Sequence, residues 1–213
     1  RFRKSFAVTS QSGSAILPLA QRVSVARDVA FPFTYPHIID NWHDAGAEVS
    51  FFSPLSNEPP RRGAAVFLPG GYPELHAGQL AANTQFMDGM REAANEGHPI
   101  YGECGGYMAL GAGLIDAHGE RHAMCGLLPL VTSFAERRLH LGYRDAELLA
   151  DTALGKLGTR FRGHEFHYAT VVEEGEEDPL FQCCDSTGEV TSLIGRRVAN
   201  VSGSFLHLID RYS

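Results

Sequence analysis

The spacing of apolar residues changes along the chain, and each change predicts a different kind of element. Arg22 to Ala26 (RVSVA) alternates with period two, which predicts a strand. Ile38, Ile39 and Trp42 then fall at helical spacing and stop before Gly46, a residue suited to ending a helix. A second strand is predicted over Glu48 to Phe52. After the turn at Pro59-Pro60, the apolar run Ala64 to Leu68 predicts a third strand, broken at Pro69-Gly70-Gly71. Phe86, Met90 and Ala94 mark one face of a helix ended by Gly97, and Pro99 to Tyr101 makes another short strand. Strands alternating with helices imply right-handed crossovers, so this half predicts a mainly parallel sheet flanked by helices.

Beyond about residue 115 the long helical periods become scarce. Short alternating pieces between turns replace them, as in Ile115 to Gly119, Gly142-Tyr143-Arg144 and Val198 to Leu208. This half is expected to be strand-rich decoration on the same sheet, with a hairpin tip at Asp116 to Gly119. No internal repeat or low-complexity tract appears, so residues 21–213 read as one α/β domain of Rossmann-like (flavodoxin-like) type. Residues 1–20 are net basic, with a Ser/Gly-rich middle from Ser10 to Ser14 and no apolar h-region. They read as a linker, which implies a chain cut from something longer.

Composition narrows the function classes. At 213 residues and 44% hydrophobic, the chain can bury a core without staples. Its 18 basic against 25 acidic side chains give a net charge of −7, and no basic stripe offers the clustered charge that nucleic acid needs. No apolar run reaches the 18 or so residues of a membrane helix. The acidic run Glu173, Glu174, Glu176, Glu177 and Asp178 reads as a solvated loop. The four cysteines, at 104, 125, 183 and 184, show no C-x-x-C spacing, which points to a reducing, cytoplasmic setting.

The most specific chemical signal is Gly102-Glu103-Cys104-Gly105-Gly106, set between a short strand and the helical-looking Tyr107 to Leu110. This is the pattern of a nucleophile elbow, with a thiol as nucleophile. A sharp strand-to-helix turn strains the central residue, its neighbours two positions away must be small, and the helix start favours a thiolate. The bland reading is a buried structural cysteine in a glycine-rich turn. A thiol nucleophile needs a base, and His207, at the end of the last β-like run, is where strand ends of a parallel sheet would expose one. A second glycine turn, Leu68 to Glu74, ends a strand on the same sheet edge, so the Gly71 and Gly105 N–H groups could stabilise an oxyanion. Tyr72, His164, Glu165 and His167 are candidate substrate contacts. Metal is disfavoured: His118, His122 and Cys125 surround a hairpin tip, and His164 to His167 lacks the i, i+4 spacing of a zinc peptidase. Gly155-Lys156 lacks the glycine and the Ser or Thr of a phosphate-binding loop, so no nucleotide site of that kind is present.

These residues resemble a class I glutamine amidotransferase domain. The likeness is narrower at Val25-Ala26-Arg27-Asp28 with Phe31, Phe33 and Tyr35-Pro36, at Pro69 to His76, at Tyr101 to Gly106 and at Arg162 to Tyr168. There it is similar to the glutaminase half of the cobyrinic or hydrogenobyrinic acid a,c-diamide synthases of cobalamin (corrinoid) biosynthesis. The resemblance implies that Cys104 attacks glutamine, that His207 relays the proton, and that Gly71 and Gly105 hold the oxyanion. It further implies an N-terminal P-loop domain, absent here, that uses ATP and magnesium on a corrinoid substrate; this domain would need no cofactor of its own. It leaves room for a homodimer. Many class I members carry a Glu two residues after the histidine; here Ile209 stands there, and Asp210 falls on the opposite face of a strand, so the orienting group is unassigned. A stand-alone cysteine hydrolase, and a silent α/β module that docks a partner or binds a tetrapyrrole, remain alternatives on the residues alone.

Overall fold

In the computed structural model, which describes residues 14–212 apart from 177, 186 and 189, the first half builds the β/α alternation that its pattern predicts. Strands β1 (Arg22–Ala26), β2 (Glu48–Phe52), β3 (Ala65–Leu68) and β4 (Ile100–Glu103) pair in parallel in the order β4-β3-β1-β2. Helix α1 (Pro36–Asp44) starts at a proline suited to the first turn, and the chain leaves it through Gly46 at φ +83. Helices α2 (Ala77–Ala82) and α3 (Thr84–Asn95) follow β3, and α3 turns Phe86, Met87, Met90 and Ala93 inward. Helix α4 (Gly105–Leu110) begins directly after β4 and is fully buried.

The second half corrects one expectation, because its strands form two further sheets rather than decorating the first. Strands β5 (Gly113–Ile115), β6 (Arg121–Ala123), β7 (Leu130–Ser133) and β10 (Thr170–Glu174) make a four-stranded sheet in the order β10-β7-β5-β6. Strands β8 (His140–Leu148), β9 (Arg160–His167), β11 (Phe181–Cys184), β12 (Val190–Ile194) and β15 (Leu206–Tyr212) make a five-stranded sheet in the order β12-β11-β8-β9-β15. Only β13 (Arg196–Val198) and β14 (Val201–Ser204) return to the central sheet, β14 parallel to β4. The single run expected over Val198 to Leu208 is thus three strands, divided at Ala199, which has φ +51, and at Phe205.

Side-chain alternation explains why β3, inside the sheet, is apolar throughout. Val66 and Leu68 of β3 pack with Ile100, with Leu80, Phe86 and Met90 of the helices, and with Leu114 and Leu130 of the four-stranded sheet. Ala65 and Phe67 point to the other face, among Ile38 and Trp42 of α1 and Phe161, Phe181 and Leu206 of the five-stranded sheet. A parallel sheet covered on both faces needs apolar residues at both parities. Each large side chain buried this way contributes roughly 1.5–3 kcal/mol.

Two further expectations change. Residues 14–20, expected within a linker, pack onto the domain: Ile16 and Leu19 are buried, Ser14 bridges to Arg211, and the Trp42 indole N–H donates to the Ile16 carbonyl at 3.2 Å. Residues 1–13 of that expected linker lie outside the described residues. In the acidic run, Glu173 and Glu174 belong to β10 and pair with Arg121 and Arg196 at 2.7 Å each, and Asp178 pairs with Arg197. Glu177 lies outside the described residues. No described helix is long and apolar enough to cross a membrane.

Candidate active site

Cys104 occupies the bend between β4 and α4 with φ 47 and ψ −104. A non-glycine residue held there costs about 1–3 kcal/mol, so its surroundings must impose it. They do so through three backbone bonds: Cys104 N–H to the Ser204 carbonyl at 2.8 Å, Met108 N–H to the Cys104 carbonyl at 3.0 Å, and Gly106 N–H to the Pro69 carbonyl at 3.0 Å. Gly106 lies so close to the Leu68 carbonyl that a Cβ would collide with it. The strand, bend and helix are those expected of the elbow.

The thiol itself differs from expectation. Only 4% of Cys104 is exposed, and its S–H donates to the Phe166 carbonyl at 3.8 Å. Burial pushes the thiol up to about 12; the Gly105 and Gly71 N–H groups facing the sulfur oppose this, while Glu74 and Glu103 reinforce it. The expected thiolate is therefore corrected to a protonated thiol, because desolvation outweighs the N–H groups at the start of a six-residue helix. Attack by this sulfur requires a base that takes the proton in the same step.

The Pro69 to Tyr72 turn is clamped to the chain beside it. Tyr72 N–H donates to the Ala30 carbonyl at 2.9 Å, Phe33 N–H donates to the Gly70 carbonyl at 3.0 Å, and Gly71 lies against Ala30 with no space for a side chain. Below it lies a cavity of about 110 Å³ whose lining includes Cys104, Gly71, Tyr72, Glu74, Phe166 and His167. Half-exposed Phe33, Tyr72, Phe166 and Tyr168 form its aromatic rim. Sequence reasoning passed over Glu74, whose buried Oε2 has no hydrogen-bond partner and whose carboxyl is pushed up to about 7 by burial. A larger hollow of about 800 Å³, bounded by Glu147, Lys156, Arg160 and Tyr212, contains none of the elbow residues.

His207 arrives from a different sheet than expected. It is the second residue of β15, opposite His164 of β9, rather than the end of the last central strand. Its ring lies between His164, stacked at 4.9 Å and 11°, and Gly70, where any Cβ would strike the imidazole. Its Nδ1 is 4.0 Å from Glu103 Oε2, and Glu103 is the residue before Cys104. Burial, and after it the neighbouring His164, pushes His207 down to about 4, so the imidazole is neutral and can accept a proton.

The other candidates separate. His167 lines the cavity, stacks on Phe205 at 3.9 Å, and is pushed down to about 3 chiefly by burial; its Nδ1 lies 3.1 Å from the Ala169 carbonyl. Tyr72 lines the cavity edge-on to Phe33. His164 hydrogen-bonds the Tyr35 hydroxyl and packs behind His207. The Glu165 carboxylate is paired with Arg144 at 2.8 Å. Asp210 is held by both arms of Arg162, each bond 2.8 Å. Cys125 is buried against Met87, and Asp116 rather than Cys125 faces His122, at 3.0 Å. Among the described residues the one grouping of metal-ligating types is Asp116, Glu120 and His122. Asp116 there already accepts the His118 and Glu120 N–H groups of the hairpin.

With this geometry in hand, comparison with known proteins is specific. The family model of the CobB/CobQ-like glutamine amidotransferase domain matches residues 22–211. A hydrogenobyrinate a,c-diamide synthase from Sinorhizobium sp is 57% identical over 194 residues, covering 91% of this chain and 44% of its own length. The enzyme of the same name from Rhizobium meliloti is 53% identical over 205 residues, 94% of this chain and 46% of the relative. The chain thus spans a little under half the length of these relatives. Among solved structures, a glutamine amidotransferase superposes with a TM-score of 0.57 at 20% identity, over 87% of this chain and 89% of that one. Another, from Thermotoga maritima, gives 0.56 at 18% identity over 87% and 75%. These two likenesses show the fold.

Proposed function

Since the chain belongs to the CobB/CobQ-like glutamine amidotransferase family, we propose that it hydrolyses glutamine at Cys104 and supplies the ammonia for amidating a corrinoid carboxylate. The observation that carries this reading is the buried sulfur at a strained bend, with the Gly71 and Gly105 N–H groups turned toward it.

The steps follow from what each group can do. Sγ adds to the carboxamide carbon as the S–H proton passes to neutral His207, and the developing oxyanion takes the Gly71 and Gly105 N–H groups. His207 returns that proton to the amide nitrogen, which leaves as ammonia and yields a γ-glutamyl thioester. A water, deprotonated by the same imidazole, then attacks the thioester carbonyl, releasing glutamate and restoring the thiol. Oxyanion donors of this kind are worth about 10²–10³ in rate each. The unpartnered Glu74 oxygen in the cavity suits the α-ammonium of glutamine, and Tyr72 and His167 suit its aliphatic chain and the polar groups at its end.

The named relatives are more than twice as long as the segment matched. The reading assigns to the rest of such a protein a P-loop synthetase portion that holds ATP and magnesium and activates the a and c carboxylates. Glutaminase activity of this chain alone should be weak and rise when the synthetase portion is added. The direct test is Cys104→Ser, assayed by glutamine-dependent ammonia release. Abolished hydrolysis in a folded protein is expected, and an unchanged rate removes Cys104 from the mechanism.

A further inference from the structure

The mechanism leaves His207 without a group to hold its ring, and the usual position for one is Ile209. The other nearby carboxylates are engaged: Asp210 by Arg162 and Glu165 by Arg144. Glu74 lines the cavity beside Cys104, whose lining does not include His207.

Glu103 remains. It ends β4, only 2% of it is exposed, and no Lys or Arg pairs with it among the described residues. Burying a carboxyl group without a cation is costly, so its placement calls for a use. Its Oε1 accepts the Leu208 N–H at 3.2 Å, which pins the carboxylate to the strand carrying His207, and its Oε2 faces His207 Nδ1 at 4.0 Å. The Leu208 anchor, the Gly70 backbone and the His164 ring together leave the imidazole little freedom to rotate.

We infer that Glu103 is the positioning residue of this site: it holds His207 in the Nδ1–H tautomer and stabilises the imidazolium formed when the Cys104 proton arrives. With Nδ1 facing the Glu103 carboxylate at ion-pair distance, Nε2 is the nitrogen left to take the thiol proton and hand it to the departing ammonia. The carboxylate remains ionised throughout the cycle, so protons balance among sulfur, imidazole and nitrogen alone. The nucleophile and its orienting carboxylate are thus adjacent in sequence, which spares the fold a third element. This inference rests on the glutaminase reading.

Ionisation of Glu103 sets the pH at which this arrangement forms. The groups facing it are Tyr101 from its own strand, Tyr35 from the loop before α1, Cys104 from the bend, His207 from β15, and Ser204 of β14 through Tyr101. None is a fixed cation, and burial pushes the Glu103 carboxyl up to about 8. A protonated Glu103 would donate to Nδ1 and leave Nε2 carrying hydrogen, unable to accept from the thiol. Glutamine turnover should therefore rise with pH through this ionisation.

Glu103→Gln tests the assignment, because the amide keeps the volume and can still accept the Leu208 N–H while losing the charge. In the full chain, the expected result is a fall in kcat of at least 100-fold, a KM for glutamine within threefold, unchanged thermal unfolding near neutral pH or a small stabilisation, and loss of the alkaline rise. A kcat within threefold of the parent overturns the inference. Should the variant fail to fold, the parent protein still decides: ¹⁵N NMR at pH 9, with the His207 signal assigned by its loss in His207→Gln, is expected to show the Nδ1–H tautomer, and the Nε2–H tautomer overturns it. Cys104→Ser and His207→Ala, run in parallel, separate the two layers. Inactive Cys104 and His207 variants beside an active Glu103→Gln defeat this inference alone, whereas full activity in Cys104→Ser defeats the glutaminase reading beneath it.

Discussion

Substituting Gly71 by alanine separates the oxyanion role of this turn from its structural role. An added Cβ would overlap the Ala30 carbonyl and stand 2.8 Å from Phe31 Cα. Both neighbours are backbone, and Ala30 and Phe31 are fully buried, so they have little room to give. Ala30 is also committed to the Tyr72 N–H at 2.9 Å. The turn must yield instead, by about 1.5 Å to restore ordinary contact with the Ala30 carbonyl, and a shift of that size carries the Gly71 N–H out of hydrogen-bonding reach of the oxyanion. Losing one such donor costs about 10²–10³ in kcat, or about 2.7–4 kcal/mol. The strain should cost about 1–3 kcal/mol of stability. Ammonia release at saturating glutamine reads the first quantity and chemical denaturation the second. A folded Gly71→Ala protein that loses stability yet keeps kcat within threefold would refute the argument that this N–H serves the transition state.

The remaining predictions concern charge and burial. Glu74→Gln should raise KM for glutamine about 10- to 100-fold with little change in kcat, since a hydrogen bond to a charged partner is worth about 1.5–3 kcal/mol; competition by the analogue lacking the α-amino group reads the lost discrimination. Alkylation of Cys104 by iodoacetamide should be slow at neutral pH and keep accelerating beyond pH 10, because burial pushes the thiol up to about 12; a plateau near pH 9 would mean an ordinary exposed thiol. The Glu103 carboxyl is raised by burial from 4.5 to about 8. Its contribution to stability is therefore full below the unfolded value and lost as pH rises through about 8, a swing of up to about 5 kcal/mol. Urea denaturation at pH 5 and pH 9 should show the Glu103→Gln protein losing less stability between the two than the parent does.

The parts of the fold legible in the sequence are those where local pattern and tertiary role coincide. Strand β3 is apolar at both parities because both faces of the sheet are covered there, whereas the edge strand β2 keeps Glu48 and Phe51 exposed, and the turns carry glycine or proline where the chain needs them. The elbow was legible for the same reason: Gly106 has no room for a side chain, and a strand precedes it. The second half was not. Alternation in β8 and β9 announces strands but not their partners, and nothing local distinguishes a strand added to an existing sheet from one that starts another. His207 was found by position, yet its neighbours come from register: His164 stands opposite it across β9 and β15. Glu103 and Glu74 were overlooked because the first reads as the flank of a nucleophile and the second as a first-turn acid after Pro73. Only the packing reveals that each is a carboxyl turned inward, Glu103 with no Lys or Arg paired to it among the described residues and Glu74 with the pull of Arg137 outweighed by burial. The protonated state of Cys104 has the same origin, since desolvation is a property of the surroundings that no local motif records.

The claim beneath all of this is that glutamine turnover passes through a covalent bond to one sulfur. Acid quenching during turnover, followed by proteolysis and mass spectrometry, tests it directly. The account predicts a γ-glutamyl group on the peptide containing Cys104, accumulating when His207 is replaced in a way that slows hydrolysis more than acylation. Glutamine hydrolysis that proceeds with Cys104 unmodified at every time point, or with the glutamyl group on another residue, would contradict it.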